Sequence, residues 1–247
     1  MTPIQQLMLG VGASKKTYMD DVFSTYVYDG NGDGTGNAGT SQSINNGIDL
    51  SGEGGMVWVK SRSNTYSNFI ADTERGASYR LRSNDSSASA SHASCITSFN
   101  NNGFGLGTDG TWEVNHNGYD YASWTFRKAP GFFDVVTYTG SGSAKTVAHS
   151  LGSVPGMIMV KNLSNSQSWA VYHKDANGGV NPANYYLMLN QTAEAQAATS
   201  RWNDTAPTSS VFTVGTATNT NSDGDNYVAY LFAGGESTAA TARSVDF

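Results

Sequence analysis

The sequence predicts an all-β chain: two tandem antiparallel β-sandwich repeats, jelly-roll or concanavalin-like, behind a short N-terminal arm. Three observations lead there. First, four blocks recur in the same order. Tyr28, Gly30 and Gly32 return as Tyr138, Gly140 and Gly142, and Gly54–Lys60 (GGMVWVK) returns as Pro155–Lys161 (PGMIMVK). Phe104, Gly107 and Thr108 then meet Phe212, Gly215 and Thr216, and YASWTF (Tyr121–Phe126) meets YVAYLF (Tyr227–Phe232). Chance likeness between β-rich segments explains one such block but not four in register, so the chain carries an internal duplication. Second, short β-branched and aromatic runs alternate with Gly, Ser and Asn segments, the spacing of a sandwich or barrel. Third, only 14% of residues are charged, and turn formers fill the deficit.

The duplication sets the organisation: residues 1–21 an arm, 22–129 the first repeat, 130–234 the second, and 235–247 a linker to a further C-terminal domain. In the arm, Ile4, Leu7, Met8, Leu9 and Val11 are apolar side chains that so short a segment cannot bury alone. A frayed or locally packed leader is one reading; the other is an arm that docks on a partner through those five residues. Gly12–Thr17 (GASKKT) is no phosphate loop, because no glycine directly precedes a Lys-Ser/Thr pair.

In the first repeat, Val22–Tyr28 has the β-branched and aromatic content of a strand. Met56–Val59 is a short apolar run between glycines, which fits a strand buried on both faces. Further strands are expected at 69–72, 79–82, 96–99 and 121–127. The second repeat offers seven, at 135–138, 146–148, 157–160, 169–172, 185–189, 211–214 and 227–232. Thr192–Trp202 (TAEAQAATSRW) is alanine-rich enough for one or two helical turns. A parallel α/β fold would require repeated longer helices, which the pattern does not supply.

Composition narrows the function. A net charge of −6 with 14 scattered Lys and Arg argues against a nucleic-acid partner. The single Cys95 excludes an internal disulfide framework. No apolar run reaches the roughly 20 residues that span a bilayer, and the first residues lack the pattern of a signal peptide. The chain is therefore expected to be made in a cytoplasm. Ten Phe, thirteen Tyr and five Trp distributed over both repeats exclude a disordered chain.

Asp29-Gly-Asn31-Gly-Asp33-Gly34 opens like a calcium loop, but Thr40 stands where a bidentate carboxylate belongs, and a plain glycine turn is the competing reading. Asp223-Gly-Asp225 is a shorter version of it. The four histidines have no ligand spacing, so no metal or cofactor is expected. Glycoside hydrolysis needs two carboxyl groups across a bond; Asp109 and Glu113 are the nearest pair, and two acids in one loop are ordinarily solvated. No nucleophile elbow occurs, and no enzymatic activity is expected. Tyr28/Tyr138 and Phe126/Phe232, matched between repeats, read as core. Trp112, Tyr119 and Trp202 lie in irregular stretches, where rings either pack within loops or meet a sugar or a partner.

Several phrases carry a family resemblance: TPIQQLMLGVGA (Thr2–Ala13), SWTFRKAPGFFDVVTYTG (Ser123–Gly140), HSLGSVPGMIMVK (His149–Lys161) and RWNDTAPTSSVFTVG (Arg201–Gly215). They resemble tail-fibre and related virion proteins of marine tailed bacteriophages, over nearly the whole chain. The resemblance implies a structural virion protein, the N-terminal region of a fibre that anchors it to the tail and carries distal host-recognition domains. It implies a homotrimer, tail-tube, nozzle or adaptor proteins as partners, and assembly in the host cytoplasm. TARSVDF (Thr241–Phe247) is similar to segments that open a concanavalin-like sandwich in longer relatives. A glycan-binding, lectin-like host-attachment module is the alternative, and a capsid-surface decoration a third.

Overall fold

The computed structural model describes residues 17–33, 40–109 and 111–235. The docking residues Ile4, Leu7, Met8, Leu9 and Val11 and the linker from 236 onward lie outside the described residues.

The protein is all-β. The first repeat contains β1 (Phe23–Asp29), β2 (Gln42–Asn45), β3 (Gly55–Ser61), β4 (Phe69–Asp72), β5 (Tyr79–Arg82), β6 (Ala90–Ser91), β7 (Ile96–Asn100), β8 (Gly103–Leu106) and β9 (Asp120–Arg127). The second contains β10 (Phe133–Thr139), β11 (Lys145–Ala148), β12 (Pro155–Asn162), β13 (Ala170–His173), β14 (Tyr185–Met188), β15 (Gln196–Ala197), β16 (Val211–Val214) and β17 (Asn226–Ala233). Each repeat makes a six-stranded antiparallel sheet with the same connectivity: β1-β9-β3-β4-β5-β6 in the first, β10-β17-β12-β13-β14-β15 in the second. A small sheet closes each sandwich, β2-β8-β7 in the first repeat and β11-β16 in the second. Every strand of these sheets pairs within its own repeat, which rules out one large sandwich built from both halves.

Strand periodicity places the cores. Odd residues of β3 (Val57, Val59) face the small sheet and join Phe69, Ile96, Phe104 and Tyr121. The second repeat has the matching core of Ile158, Val160, Phe212 and Tyr227. Even residues of β3 point the other way, and they are not exposed either. Met56, Ile70 and Leu81 pack against Val135, Met159, Trp169 and Tyr230, so the two large sheets form a third core between the repeats. The order of layers is small sheet, large sheet, large sheet, small sheet. The run Met56–Val59 is continuously apolar because both of its faces are covered.

A buried polar group crosses that third core. Asp72, with no exposed surface, accepts from Arg75 Nε at 2.6 Å and from the Tyr230 hydroxyl at 2.6 Å. Arg75 also donates to the Ile70 carbonyl at 3.2 Å. Burial pushes the Tyr230 phenol well above its usual range, so it stays a donor. Close by, the Trp169 indole donates to the Arg82 carbonyl at 2.9 Å. Two tandem sandwiches are thus joined into one body.

One local expectation fails. Thr192–Trp202 forms no helix: Gln196 and Ala197 are drawn into β15 opposite Tyr186 and Tyr185, and the residues after them turn. Tertiary pairing outweighs the alanine propensity. The helical turns are short and occur elsewhere, at α1 (Met19–Val22) and α2 (Thr218–Asn221).

Candidate functional site

Both repeats end their last loop in the same frame. In the first, Tyr28 donates to the Val114 carbonyl at 2.7 Å and stacks on Tyr121, which donates to the Trp112 carbonyl at 3.1 Å. In the second, Tyr138 donates to the Thr220 carbonyl at 2.6 Å and stacks on Tyr227, which donates to the Thr218 carbonyl at 2.8 Å. A fully buried asparagine completes each frame. Asn115 donates to the Gly107 carbonyl at 2.7 Å, and Asn221 to that of Gly215 at 2.6 Å. Gly30 and Gly140 are required here: a Cβ on either would overlap a backbone carbonyl, that of His116 or Ser222.

The segment after β1 is tied to this frame. Asn31 accepts from the Asn115 amide through its side chain, at 3.1 Å, and donates its backbone N–H to the Asn115 oxygen, also at 3.1 Å. Its oxygen is therefore directed at the loop. Asp29 ends β1 and Gly32 bridges to His116, and among the described residues no cluster of metal-ligating groups occurs.

What hangs on the frame differs between the repeats. Hydrogen-bond equivalence pairs Trp112 with Thr218, His116 with Ser222, Tyr119 with Asp225, and the strand alignment pairs Tyr66 with Gln167. In the first repeat the four rings cluster. Trp112 stacks on His116 with centroids 4.2 Å apart and planes 11° apart. Tyr66 meets Trp112 nearly edge-on at 5.9 Å, and Tyr119 contacts both Tyr66 and His116. In the second repeat the equivalent place is polar, with Asp225 accepting from Asn162 and Asn165. The first loop is also longer: Gly107 and Asn115 stand eight positions apart, Gly215 and Asn221 six.

Beneath the rings the loop is pinned from inside. Asp109 and Glu113, expected to be solvated, are instead buried. Asp109 accepts from the backbone N–H groups of Thr111, Val114 and Asn115 at 2.9, 2.9 and 2.7 Å. Glu113 accepts from Arg80 at 2.8 Å and from Arg82 at 2.6 Å. Neither carboxylate faces the other across an open space, as glycoside hydrolysis requires. Cys95, beside Asp109, is buried with its thiol pushed up to about 12, chiefly by burial. A thiol in that state is neither a nucleophile nor a ligand.

Of the three aromatic candidates, the structure brings two together. Trp112 is 40% exposed and Tyr119 half-buried, both in the cluster. Trp202 is a correction: it is 2% exposed, edge-on to Tyr172, in the second core. It occupies the position that Ile96 holds in the first repeat, so a core position has simply been filled by an indole. Tyr66 and His116 were missed. The mismatch of Tyr66 with Gln167 in the duplicated alignment is the signal that could have found them.

A cleft of ≈ 580 Å³ lies elsewhere, between the repeats, with Glu74, Arg75, Tyr79, Thr139 and Asn226 among its lining. Glu74 is already engaged with Lys128 at 2.9 Å, and Arg75 with Asp72.

The fold and site define an all-β double sandwich with an asymmetric aromatic loop. The chain belongs to a family of its own description: the profile of a domain of unknown function (DUF7483) matches residues 19–240. No curated protein and no solved structure matches it.

Proposed function

We propose that this chain is a non-catalytic structural module of a phage virion, the N-terminal region of a tail fibre that anchors the fibre to the tail and carries host-recognition domains beyond it. One observation supports the scaffolding part most: the two sandwiches share a third core with a buried Asp72–Arg75–Tyr230 group, giving a unit in which neither repeat can swing against the other. A spacer that transmits force gains from such joining, whereas two binding modules on a flexible tether do not require it. The titratable groups support the non-catalytic part, since Asp72, Asp109 and Glu113 are each engaged by structural donors. Attachment is assigned to residues 1–21 with the apolar set Ile4, Leu7, Met8, Leu9 and Val11, and the fibre is expected to be a trimer. Deleting residues 1–21 in a phage genome is the test. Purified particles should then lack the fibre by immunoblot, with the truncated protein still soluble in the lysate. Normal incorporation would overturn the anchoring role, and turnover of a polysaccharide by the purified chain would overturn the non-catalytic one.

A further inference from the structure

We propose that the cluster of Trp112, His116, Tyr119 and Tyr66 is a shallow binding site for a neutral pyranose, whose apolar C–H face lies on the Trp112 ring. This goes beyond the scaffolding role and does not depend on it.

The duplication supplies the first argument, because it works as an internal control. The frame of paired tyrosines and buried asparagine closes equally well in the second repeat with Thr218, Ser222, Asp225 and Gln167 at the four positions. The shared frame itself therefore does not require the rings. They are an addition made on one copy only.

The second argument is backbone strain. Trp112 sits at φ 63°, in the left-handed region that a bulky residue seldom adopts, and its ring remains 40% exposed. Its counterpart Thr218 begins the helical turn α2. A large ring held in a costly conformation, without being taken into a core, points to a use outside the fold.

Geometry gives the third. His116 lies parallel over one face of the indole at 4.2 Å and Tyr66 stands nearly perpendicular to it. Beside these contacts 40% of Trp112 stays exposed. The support below is rigid: Glu113, next in sequence, is fixed by Arg80 and Arg82, and Asp109 gathers the loop's backbone N–H groups. A pre-ordered ring loses little entropy on contact with a ligand.

The surroundings select the ligand. Ser63, Asn64, Asn117 and Asp120 flank the rings in the chain and offer hydroxyl, amide and carboxylate groups. Such a rim matches the equatorial hydroxyls of a pyranose, and the ring matches its C–H face. A proline-rich peptide also uses Trp and Tyr, but through an apolar groove; polar flanks favour the sugar.

The test is saturation-transfer NMR on the full chain with methyl β-D-galactopyranoside and methyl β-D-glucopyranoside, with glucitol as the open-chain control. At least one glycoside should receive saturation on its ring C–H protons, glucitol should not, and the Kd should be on the order of 1 mM for a ligand of this size. Trp112→Gly suits the left-handed backbone, so it should keep the melting temperature within about 4 °C while weakening binding about ten-fold or more. Trp112→Phe, which keeps a ring, should lose only about three-fold. Tyr79→Ser removes an exposed ring in the inter-repeat cleft and should change nothing. The proposal is overturned if neither glycoside binds wild type at about 50 mM, far above that Kd. Unchanged binding in Trp112→Phe and Trp112→Gly alike overturns it too, as does a decaproline peptide that binds where both sugars fail.

Discussion

The two repeats share a frame down to individual hydrogen bonds, yet they differ in what their surfaces carry. The first has the aromatic loop, the buried Glu113 with its two arginines, and Asp72 facing the partner sheet. At the same positions the second has Thr218, Ser222 and Asp225, then Asn219, then a half-buried His173. The difference teaches which features belong to folding. Those present twice (stacked tyrosines, buried asparagine, glycine against a carbonyl) close the sandwich. Those present once were free to acquire another role, either joining the copies or contacting something outside.

Breaking the joint should give the largest effect. Asp72→Ala leaves Arg75 buried without its carboxylate, a loss of about 3–5 kcal/mol by analogy with broken buried pairs. For a chain of this size that is a fall in Tm of roughly 10 °C or more. The counterpart His173→Ala, whose side chain is 44% exposed, should cost about 0.5 kcal/mol or less. Thermal unfolding followed by near-UV circular dichroism compares the two. Equal effects would mean that Asp72 does not join the repeats.

The second comparison concerns Lys60 and Lys161, aligned in the GGMVWVK and PGMIMVK blocks. Lys161 is fully buried and donates to the Asn162 carbonyl at 2.8 Å. Burial pushes its ammonium pKa down to about 8, with Asp85 opposing part of the shift. Because the folded form holds its proton less tightly than the unfolded form, the penalty is fully present below pH 8. It is relieved as pH rises from about 8 towards the unfolded value near 10.5. Lys161→Met should therefore stabilise the protein at pH 7 by about 3 kcal/mol, and the gain should shrink by pH 10. Lys60, partly exposed and shifted down by burial in the same direction, should show a smaller change on the same substitution. Urea denaturation of both variants from pH 7 to 10 reads the difference. A gain that does not vary with pH would show that Lys161 is not charged at a cost in the native state.

Much of this was legible beforehand. The four repeated blocks are strand blocks, whose alternation and flanking glycines are local properties, and the duplication follows from them. The third core was only half legible. The run Met56–Val59 announces burial on both faces, but nothing local says that its second face meets the other repeat. Asp72 within Phe69–Asp72 carried a signal, an acid in a strand otherwise apolar, which implies a buried partner. That the partner is Tyr230, 158 positions away, depends on how the sheets stack. The aromatic site was legible in part, through Trp112 and Tyr119, and Trp202 misled for another reason. Irregular context does not divide surface rings from core rings, because a core position such as that of Trp202 can follow an irregular stretch. Position in the duplicate is the better guide: Trp202 faces Ile96 across the alignment, while Trp112 faces Thr218.

The smallest effect tests the shared frame itself. Tyr28 and Tyr138 each donate one buried hydrogen bond to a loop carbonyl, at 2.7 and 2.6 Å, and each stacks on the tyrosine of the last strand, at 5.4 and 5.1 Å. Burial raises both phenols well above their ordinary range, so both donate at every physiological pH. Phenylalanine keeps the ring and stack and removes only the donor, which should cost about 1–2 kcal/mol as a buried carbonyl loses its partner. The costs of Tyr28→Phe and Tyr138→Phe should agree within about 0.5 kcal/mol, and the double variant should be additive, since the two sites share no partner. Unequal costs, measured by denaturant midpoint at constant slope, would mean that the longer first loop is held by Asp109 and Glu113 instead. The tyrosine frame would then be essential in the second repeat alone, where those carboxylates have no counterpart.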